Sequence, residues 1–188
     1  MRDRVREKEG WAVDPTAADS QSLRAAANIP RAASGWDGGK EIGGRKRHVV
    51  VDCLGLVLAV TVTAASVQDR DAAACLLERP RTIYFSIGLV WADGGYAGRL
   101  VDWAAEALQL TLEVVRRRDD TAGFMVLPRR WLAERTLSWL MRSRRLVCDY
   151  ETLPVMHEAM VLWPMTMLMS GRLADRRPTG FRRPAPGR

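Results

Sequence analysis

Three acidic residues are the best candidates for chemistry in this sequence: Asp19, Asp93 and Glu134. Other routes to catalysis have little support, because the 188 residues include only two histidines, three widely spaced cysteines and no glycine-rich phosphate-binding loop. Carboxylate oxygens are the ligands that hard divalent cations such as Mg²⁺ prefer. Two such ions about 3.5–4 Å apart can stabilise the attacking and leaving oxygens of an in-line displacement. Together, the three acids fit a metal-assisted phosphodiester site.

Each acid also has a plainer interpretation. Asp93 follows the apolar run 88–91 and precedes two glycines, so it lies either at the open end of a buried strand or at a turn that it caps. Glu134 shares a four-residue spacing with Arg130 and Arg142, which is typical of a solvated charged helix face and also of a metal ligand beside phosphate-binding cations. Asp19 lies in a short extended segment and is a weak signal alone.

The elements that must position these residues follow from the pattern of β-branched, Ala-rich and Gly-rich segments. Strands are predicted at 16–23, 47–52, 56–63, within 83–92, at 110–115 and at 123–127. Helices are predicted at 69–77, 97–108, 128–145 and 153–173, and a loop at 29–44. The second and third strands form a predicted hairpin with Asp52 at its turn. Strands first, then strands alternating with helices, favour one α/β domain with a mixed sheet covered by helices.

The charge of the chain indicates a polyanionic partner without proving one. The formal net charge is +7, and 26 of the 29 basic residues are arginine, whose guanidinium group binds phosphate through two hydrogen bonds. A GC-rich genome would produce a similar composition in any protein. The segment 175–188 holds five arginines and one aspartate, which is more than half of the net charge. We therefore expect a charged N-terminal segment at 1–14, a folded domain at 15–174 and a disordered tail at 175–188, with both ends solvated.

The sequence also bears on the compartment. Cys53, Cys75 and Cys148 lack the spacing of a zinc site or a disulfide framework, so they are interpreted as reduced interior thiols. The longest apolar stretch is too short to span a bilayer, and the charged N-terminus lacks the apolar region of a signal peptide. These features predict a cytoplasmic protein without a membrane partner.

Four sequence blocks, in order, resemble the DDE-type bacterial insertion-sequence transposases of the fifth insertion sequence group. The blocks are DSQS at 19–22, GGKEIGGRKRHVVVDCLGLVLAVTVTAASVQDRDAA at 38–73, VWADGGYAG at 90–98 and GFMVLPRRWLAERTLSWLMRSRRLVCDYE at 123–151. The resemblance covers about residues 14–174. It implies a ribonuclease-H-like α/β fold, with a mixed five-stranded sheet flanked by helices.

The resemblance also implies roles for single residues. Asp19, Asp93 and Glu134 match the family's three catalytic, metal-binding carboxylates, which use Mg²⁺ or Mn²⁺, two ions in all, to cut DNA at terminal inverted repeats and to join the freed 3′-hydroxyl to a target. The implied partners are double-stranded DNA, as element ends and as target, and a second copy in a synaptic homodimer associated with the nucleoid. The family's basic and accompanying positions, expected near DNA, fall on Arg45, Lys46, Arg47, Tyr96, Arg130, Arg142, Arg144 and Arg145.

Two departures from the family pattern raise the alternative of an inactive relic. Only about fourteen residues precede the core, where relatives carry a helical region that binds element ends, so we expect an N-terminally truncated chain. Two apolar residues usual before the first catalytic acid are missing here, which predicts a shortened strand with Asp19 displaced. A relic would retain only non-specific DNA binding. A basic α/β domain without activity is the remaining alternative.

Overall fold

A computed structural model describes residues 1–115 and 128–174. The helices are α1 (Arg2–Glu9), α2 (Asp69–Ile83), α3 (Arg99–Leu108), α4 (Pro128–Met141) and α5 (Pro154–Ala174). The strands are β1 (Thr16–Arg24), β2 (Gly35–Asp37), β3 (Ile42–Val51), β4 (Val57–Ala64), β5 (Leu89–Ala92) and β6 (Thr111–Val114). Short 3-10 helices span Arg31–Ala33, Gly94–Tyr96 and Arg144–Leu146.

The strands form one mixed sheet of six members in the described part of the chain. β3 pairs antiparallel with β1, β2 and β4, while β1, β5 and β6 run parallel. The five longer strands follow the order β4-β3-β1-β5-β6, and β2 adds a short sixth beside β3. This α/β sheet flanked by helices confirms the expected ribonuclease-H-like fold class. The predicted strand at 123–127 lies outside the described residues.

Alternating side chains on the central strands serve two hydrophobic cores. Val49 and Val51 of β3 pack on one face with residues of α1, α4 and α5, while Val50 packs on the other face with residues of α2 and α3. Neighbouring β1 alternates in the same way, because Ala17 belongs to the first core and Ala18 to the second. The result is a three-layer arrangement with the sheet in the middle.

The first helix corrects the expectation that residues 1–14 are solvated. Val5 is fully buried, and the Arg6 guanidinium donates a 2.6 Å hydrogen bond to Asp52 in the β3–β4 turn. Asp52 also accepts hydrogen bonds from the amides of Leu54 and Leu56, which fixes the hairpin turn where it was predicted. The N-terminal segment is therefore part of the first core, and the domain boundary at residue 14 stays a prediction.

Other expectations are confirmed with adjusted boundaries. α2 runs six residues further than predicted and includes Pro80, and β5 occupies only the end of the predicted segment 83–92. β1 is nine residues long, and the predicted shortening of this strand relative to the family stays a prediction. Among the cysteines, Cys75 is exposed and not interior, and all three thiols are free. No described helix is long and apolar enough to cross a membrane.

Candidate active site

Two of the three candidate acids lie side by side at the centre of the sheet. β1 and β5 pair in parallel with Ala17 beside Trp91, and the same register two residues further brings Asp19 next to Asp93. Both carboxylates are half-buried and line one small crevice. Asp19 thus shares the crevice with Asp93 in this structure, although two residues usual in the family are missing before it.

Asp93 also caps a turn, as the plainer interpretation of this residue predicted. Its Oδ1 accepts a 2.9 Å hydrogen bond from the amide of Gly95, at the start of the 3-10 turn Gly94–Tyr96. A Cβ atom at position 95 would lie 3.1 Å from an oxygen of Asp93 and 3.1 Å from one of Asp69. Glycine at this position thus lets two carboxylates approach the same turn.

Glu134 lies on the helix that covers the crevice. α4 packs across β1 and β5, and Ala133, the residue before Glu134, lines the crevice with Asp19 and Asp93. Glu134 is half-buried, so it does not belong to a fully solvated face. Within the two described ranges, however, no three acidic, histidine or cysteine side chains converge closely enough to hold a metal ion. The carboxylates suit a hard cation by their chemistry, and two of them share one crevice.

Tyr96 lies beneath these acids and not at the surface. The phenol is fully buried, and its hydroxyl has no hydrogen-bond partner among the residues that the structure describes. Burial raises the pKa of Tyr96 well above its ordinary value, and the charges of Asp69, Asp19 and Asp93 raise it further. Tyr96 therefore faces three carboxylates as a neutral hydroxyl, and the predicted contact with DNA would require it to leave this position.

Asp69 is a further residue near the two acids, and the sequence pattern placed it only at the start of the helix predicted at 69–77. Its Oδ1 lies 3.2 Å from the ammonium of Lys46 and 3.7 Å from Nδ1 of His48. Lys46 also lies 3.7 Å from Asp37 and donates to the carbonyl of Val67. Asp69 thus links this polar network on β3 to the turn that follows Asp93. Lys46 was predicted to face DNA, but it is 7% exposed and held inside this network.

A second group of residues that was not predicted from the sequence lies beside the crevice. Arg129 forms an ion pair with Glu113 and lies over the ring of Trp91, 5.4 Å from its centroid. The indole nitrogen of Trp91 donates a 2.9 Å hydrogen bond to the same glutamate. Because Trp91 lines the crevice, this half-exposed arginine places a cation near its mouth. Adjacent arginines in the sequence gave no sign of which one packs here.

Arg45 is buried, contrary to the prediction that it contacts DNA. Its side chain is 1% exposed and forms a 3.1 Å ion pair with Asp149, while its other donors reach the carbonyls of Ala33, Glu151 and Thr152. Every donor group of this guanidinium therefore serves the fold. Arg45 joins β3 to the segment between α4 and α5.

Asp149 completes that buried group with His157, whose Nδ1 lies 2.9 Å from the carboxylate. Burial alone would raise the pKa of Asp149, but the hydrogen bond with His157, the amide of Glu151 and the charge of Arg45 together lower it below its ordinary value. The carboxylate therefore stays ionised, which a buried arginine requires.

Arg47 is likewise buried and cannot reach a phosphate in this structure. It is fully enclosed and donates to the side-chain oxygen of Gln21 and, at 3.0 Å, to the carbonyl of Leu146. Burial lowers the pKa of Arg47 to about 10. Arg45 and Lys46 are buried as well, so the three basic residues predicted to contact DNA are an interior feature of β3.

The cations after α4 remain on the surface. Arg142, Arg144 and Arg145 are exposed near the C-terminal end of α4, and Arg145 forms a 2.6 Å ion pair with Glu151. Arg142 is two helical turns from Glu134, about 12 Å along the axis. Arg130 lies in the first turn of α4, and its side chain is outside the described part of the structure. The exposed arginines thus follow the C-terminal end of α4, the helix that carries Glu134.

The strand order and the paired acids at the centre of the sheet define a ribonuclease-H-like α/β protein. The family of the transposase DDE domain matches residues 14–169, and the chain belongs to this family. The putative transposase for insertion sequence element IS402 from Burkholderia cepacia is 30% identical over 130 residues, which cover 62% of this chain and 58% of that protein. The alignment thus spans less than two thirds of the relative's own length.

Proposed function

We propose that this chain is the catalytic core of a DNA transposase that cuts and rejoins phosphodiester bonds at the ends of an insertion sequence. The observation that carries the proposal is the crevice lined by Asp19 and Asp93, in a chain of the transposase DDE family. Adjacent carboxylates at the end of a central strand are where α/β sheets bind ligands. The scaffold also positions α4, with Glu134, over the same crevice.

In this proposal Asp19 and Asp93 hold the divalent cation, Mg²⁺ or Mn²⁺, and Glu134 completes the set from α4. When bound, the ions activate water and stabilise charge on the phosphodiester oxygens. The protein's own contribution is to orient the two acids. The amides of Ser20 and Gly95 donate hydrogen bonds of 2.7 and 2.9 Å to one oxygen of Asp19 and one oxygen of Asp93, respectively, which orients the two carboxylates.

We assign DNA binding to the exposed arginines near the end of α4, with Arg129 nearest the crevice. Double-stranded DNA suits this surface because its phosphates attract the arginine side chains whatever the base sequence. A synaptic complex would bring two copies of the chain to two element ends. With DNA as its partner, the chain would be located at the nucleoid.

The experiment is metal-dependent cleavage of DNA that carries the inverted repeats flanking the coding sequence. Asp93→Asn and Glu134→Gln should each reduce cleavage by about a thousandfold or more, because each removes a charged ligand at the reacting phosphate. Asp102→Asn, an exposed acid on α3, is the matched control and should cleave normally. Full activity in both site variants would refute the assigned roles.

A binding readout separates the metal from the chemistry. Mn²⁺ titration followed by calorimetry should show saturable binding to the wild type and at least tenfold weaker binding to Asp93→Asn. Normal metal affinity in this variant would remove Asp93 from the ligand set, whatever the cleavage assay shows.

A second candidate function is DNA binding without catalysis, by an inactive relative of the active enzymes. The observation that favours it is that no three ligand side chains converge within the described residues. This candidate predicts no cleavage with either metal, together with DNA affinity that falls steeply with salt and shows little sequence preference. Cleavage of inverted-repeat DNA would exclude it.

A further inference from the structure

A groove of about 660 Å³ lies between the C-terminal end of α4 and the exposed side of α5. Its two walls differ in chemistry. One wall is formed by residues 142–146, which include three arginines. The other wall belongs to α5 and is apolar, and its members Trp163 and Met167 are 69% and 64% exposed. Cations on one side and an aromatic, apolar surface on the other suit an amphipathic ligand.

The charge of the groove favours an anionic ligand. Arg142, Arg144 and Arg145 line it, and no acidic residue does so within the described part of the chain. Arg145 is paired with Glu151, but this pair is exposed to solvent and contributes little. Guanidinium groups bind phosphate through paired hydrogen bonds, so a phosphate backbone fits this wall.

Trp163 is the indole of the groove that is open to a ligand. The second tryptophan of the groove, Trp139, lies against two guanidinium groups, with those of Arg135 and Arg172 at 4.9 and 5.2 Å from its ring centroid. Among the described residues, no cation lies over the ring of Trp163. Proteins bind unpaired nucleic-acid strands with exposed rings on which bases stack, beside cations that follow the backbone.

We propose that this groove binds a single strand of DNA, with a base stacked on Trp163 and phosphates on Arg142 and Arg144. In a duplex the faces of the bases are stacked on one another, so they cannot reach the indole. The inference rests on the proposed function, because cutting at an element end is the step that frees a strand end. Arginines alone attract single-stranded and double-stranded DNA alike, and the indole is what distinguishes the two.

The test is fluorescence anisotropy of the full chain with a labelled oligothymidylate of about 12 nucleotides and with a duplex of the same length, without divalent cations. Trp163→Ala should weaken binding of the oligothymidylate about tenfold, because the stacked base loses its platform. Its affinity for the duplex should change by less than about twofold, because the arginines are intact. Trp163→Phe keeps a ring and should retain most of the single-strand affinity.

Three controls separate stacking from charge and from folding. An abasic strand of the same length keeps its phosphates, so the wild type and Trp163→Ala should bind it equally. Arg144→Gln should weaken binding of both the oligothymidylate and the duplex. Phe85→Ala is the matched aromatic variant: Phe85 is 79% exposed and does not line the groove, so both affinities should be normal. Because Trp163 is exposed, the melting temperature of Trp163→Ala should equal that of the wild type.

Equal oligothymidylate affinity in the wild type and Trp163→Ala would overturn the proposal. A wild type that binds the duplex alone would do the same, as would a loss in Trp163→Ala that is equal for single strand and duplex. If sedimentation instead showed a dimer that Trp163→Ala abolishes, with no binding of oligothymidylate, the groove would belong to a protein partner.

The outcome does not depend on catalysis, because the assay contains no divalent cation. Asp93→Asn should therefore bind the oligothymidylate as the wild type does. If inverted-repeat DNA is not cleaved but single-strand binding still depends on Trp163, the catalytic assignment fails and the assignment of the groove stands.

Discussion

His48 makes the stability of this protein sensitive to mild acid. Its imidazole is fully buried on β3, with Nε2 3.0 Å from the hydroxyl of Thr63. Burial lowers the pKa of His48 from 6.5 to about 4; the charge of Asp69 opposes this shift, while Lys46 and Lys40 add to it. Lys46 pairs with the same carboxylate at 3.2 Å, so Asp69 is shared between the ammonium and the imidazole and does not offset the effect of burial.

The sign of the effect follows from proton binding. Between pH 6.5 and about 4 the unfolded chain binds a proton at His48 that the folded protein excludes. The free energy of unfolding therefore falls as the pH falls through this window. The difference in pKa corresponds to about 3 kcal/mol when fully expressed, and to about 2 kcal/mol between pH 7 and pH 5.

The assay is urea denaturation of the wild type and of His48→Gln at both pH values. Glutamine keeps a polar side chain and does not titrate, so every other titrating group is common to the two proteins. We expect the wild type to lose about 2 kcal/mol more than the variant on going from pH 7 to pH 5, or about 4–8 °C in melting temperature. Equal losses would refute the reasoning. If the free energy of unfolding of the wild type instead rose relative to that of the variant on going from pH 7 to pH 5, the charge of Asp69 would outweigh burial.

Three further predictions concern single residues. Gly55→Ala should destabilise the protein by about 2–3 kcal/mol in thermal or urea denaturation, because φ is +78° and the added Cβ would lie 2.7 Å from Oγ1 of Thr136; an unchanged midpoint would contradict this close packing. Asp149→Asn should cost about 3–5 kcal/mol at pH 7, since it leaves a buried arginine without its charge partner. The wild type should lose that advantage only below about pH 4, because the pKa of Asp149 is lowered by folding. Arg47→Gln should lower the melting temperature without weakening DNA binding of the folded protein, whereas Arg144→Gln should weaken DNA binding alone; the reverse result would move the DNA surface to β3.

Local patterns were enough to predict the five longer strands of the sheet and the position of its acids, but not β2, which lies in the segment 29–44 that was predicted as a loop. The β-branched runs predicted the β3–β4 hairpin, and the apolar run before Asp93 predicted where β5 ends. Parallel pairing then brings Asp19 to Asp93 without any further information from the chain. Both interpretations of Asp93 hold together, since one oxygen caps a turn while the side chain lines the crevice.

Long-range partners were the part that sequence patterns could not supply. Arg45 and Arg47 resemble surface cations because charged residues are rarely buried without a partner. Their partners lie about a hundred residues later, in the segment after α4. Asp69 was not predicted for the same reason. Its contacts are with residues of β3 and of the turn after β5, which are distant in sequence. Neither spacing nor periodicity encodes such contacts.

The buried arginines of β3 have a consequence for how this protein is made. As the chain leaves the ribosome, β1, β3 and β4 emerge early, but the acceptors for Arg45 and Arg47 at positions 146–152 emerge only after α4. Until then, completing the sheet would bury two guanidinium groups that have Ala33 and Gln21 as acceptors but lack those at positions 146–152, which is costly. The N-terminal half therefore has to wait for the C-terminal third, and a nascent chain that stops before residue 146 lacks the groups needed to complete its own central strand.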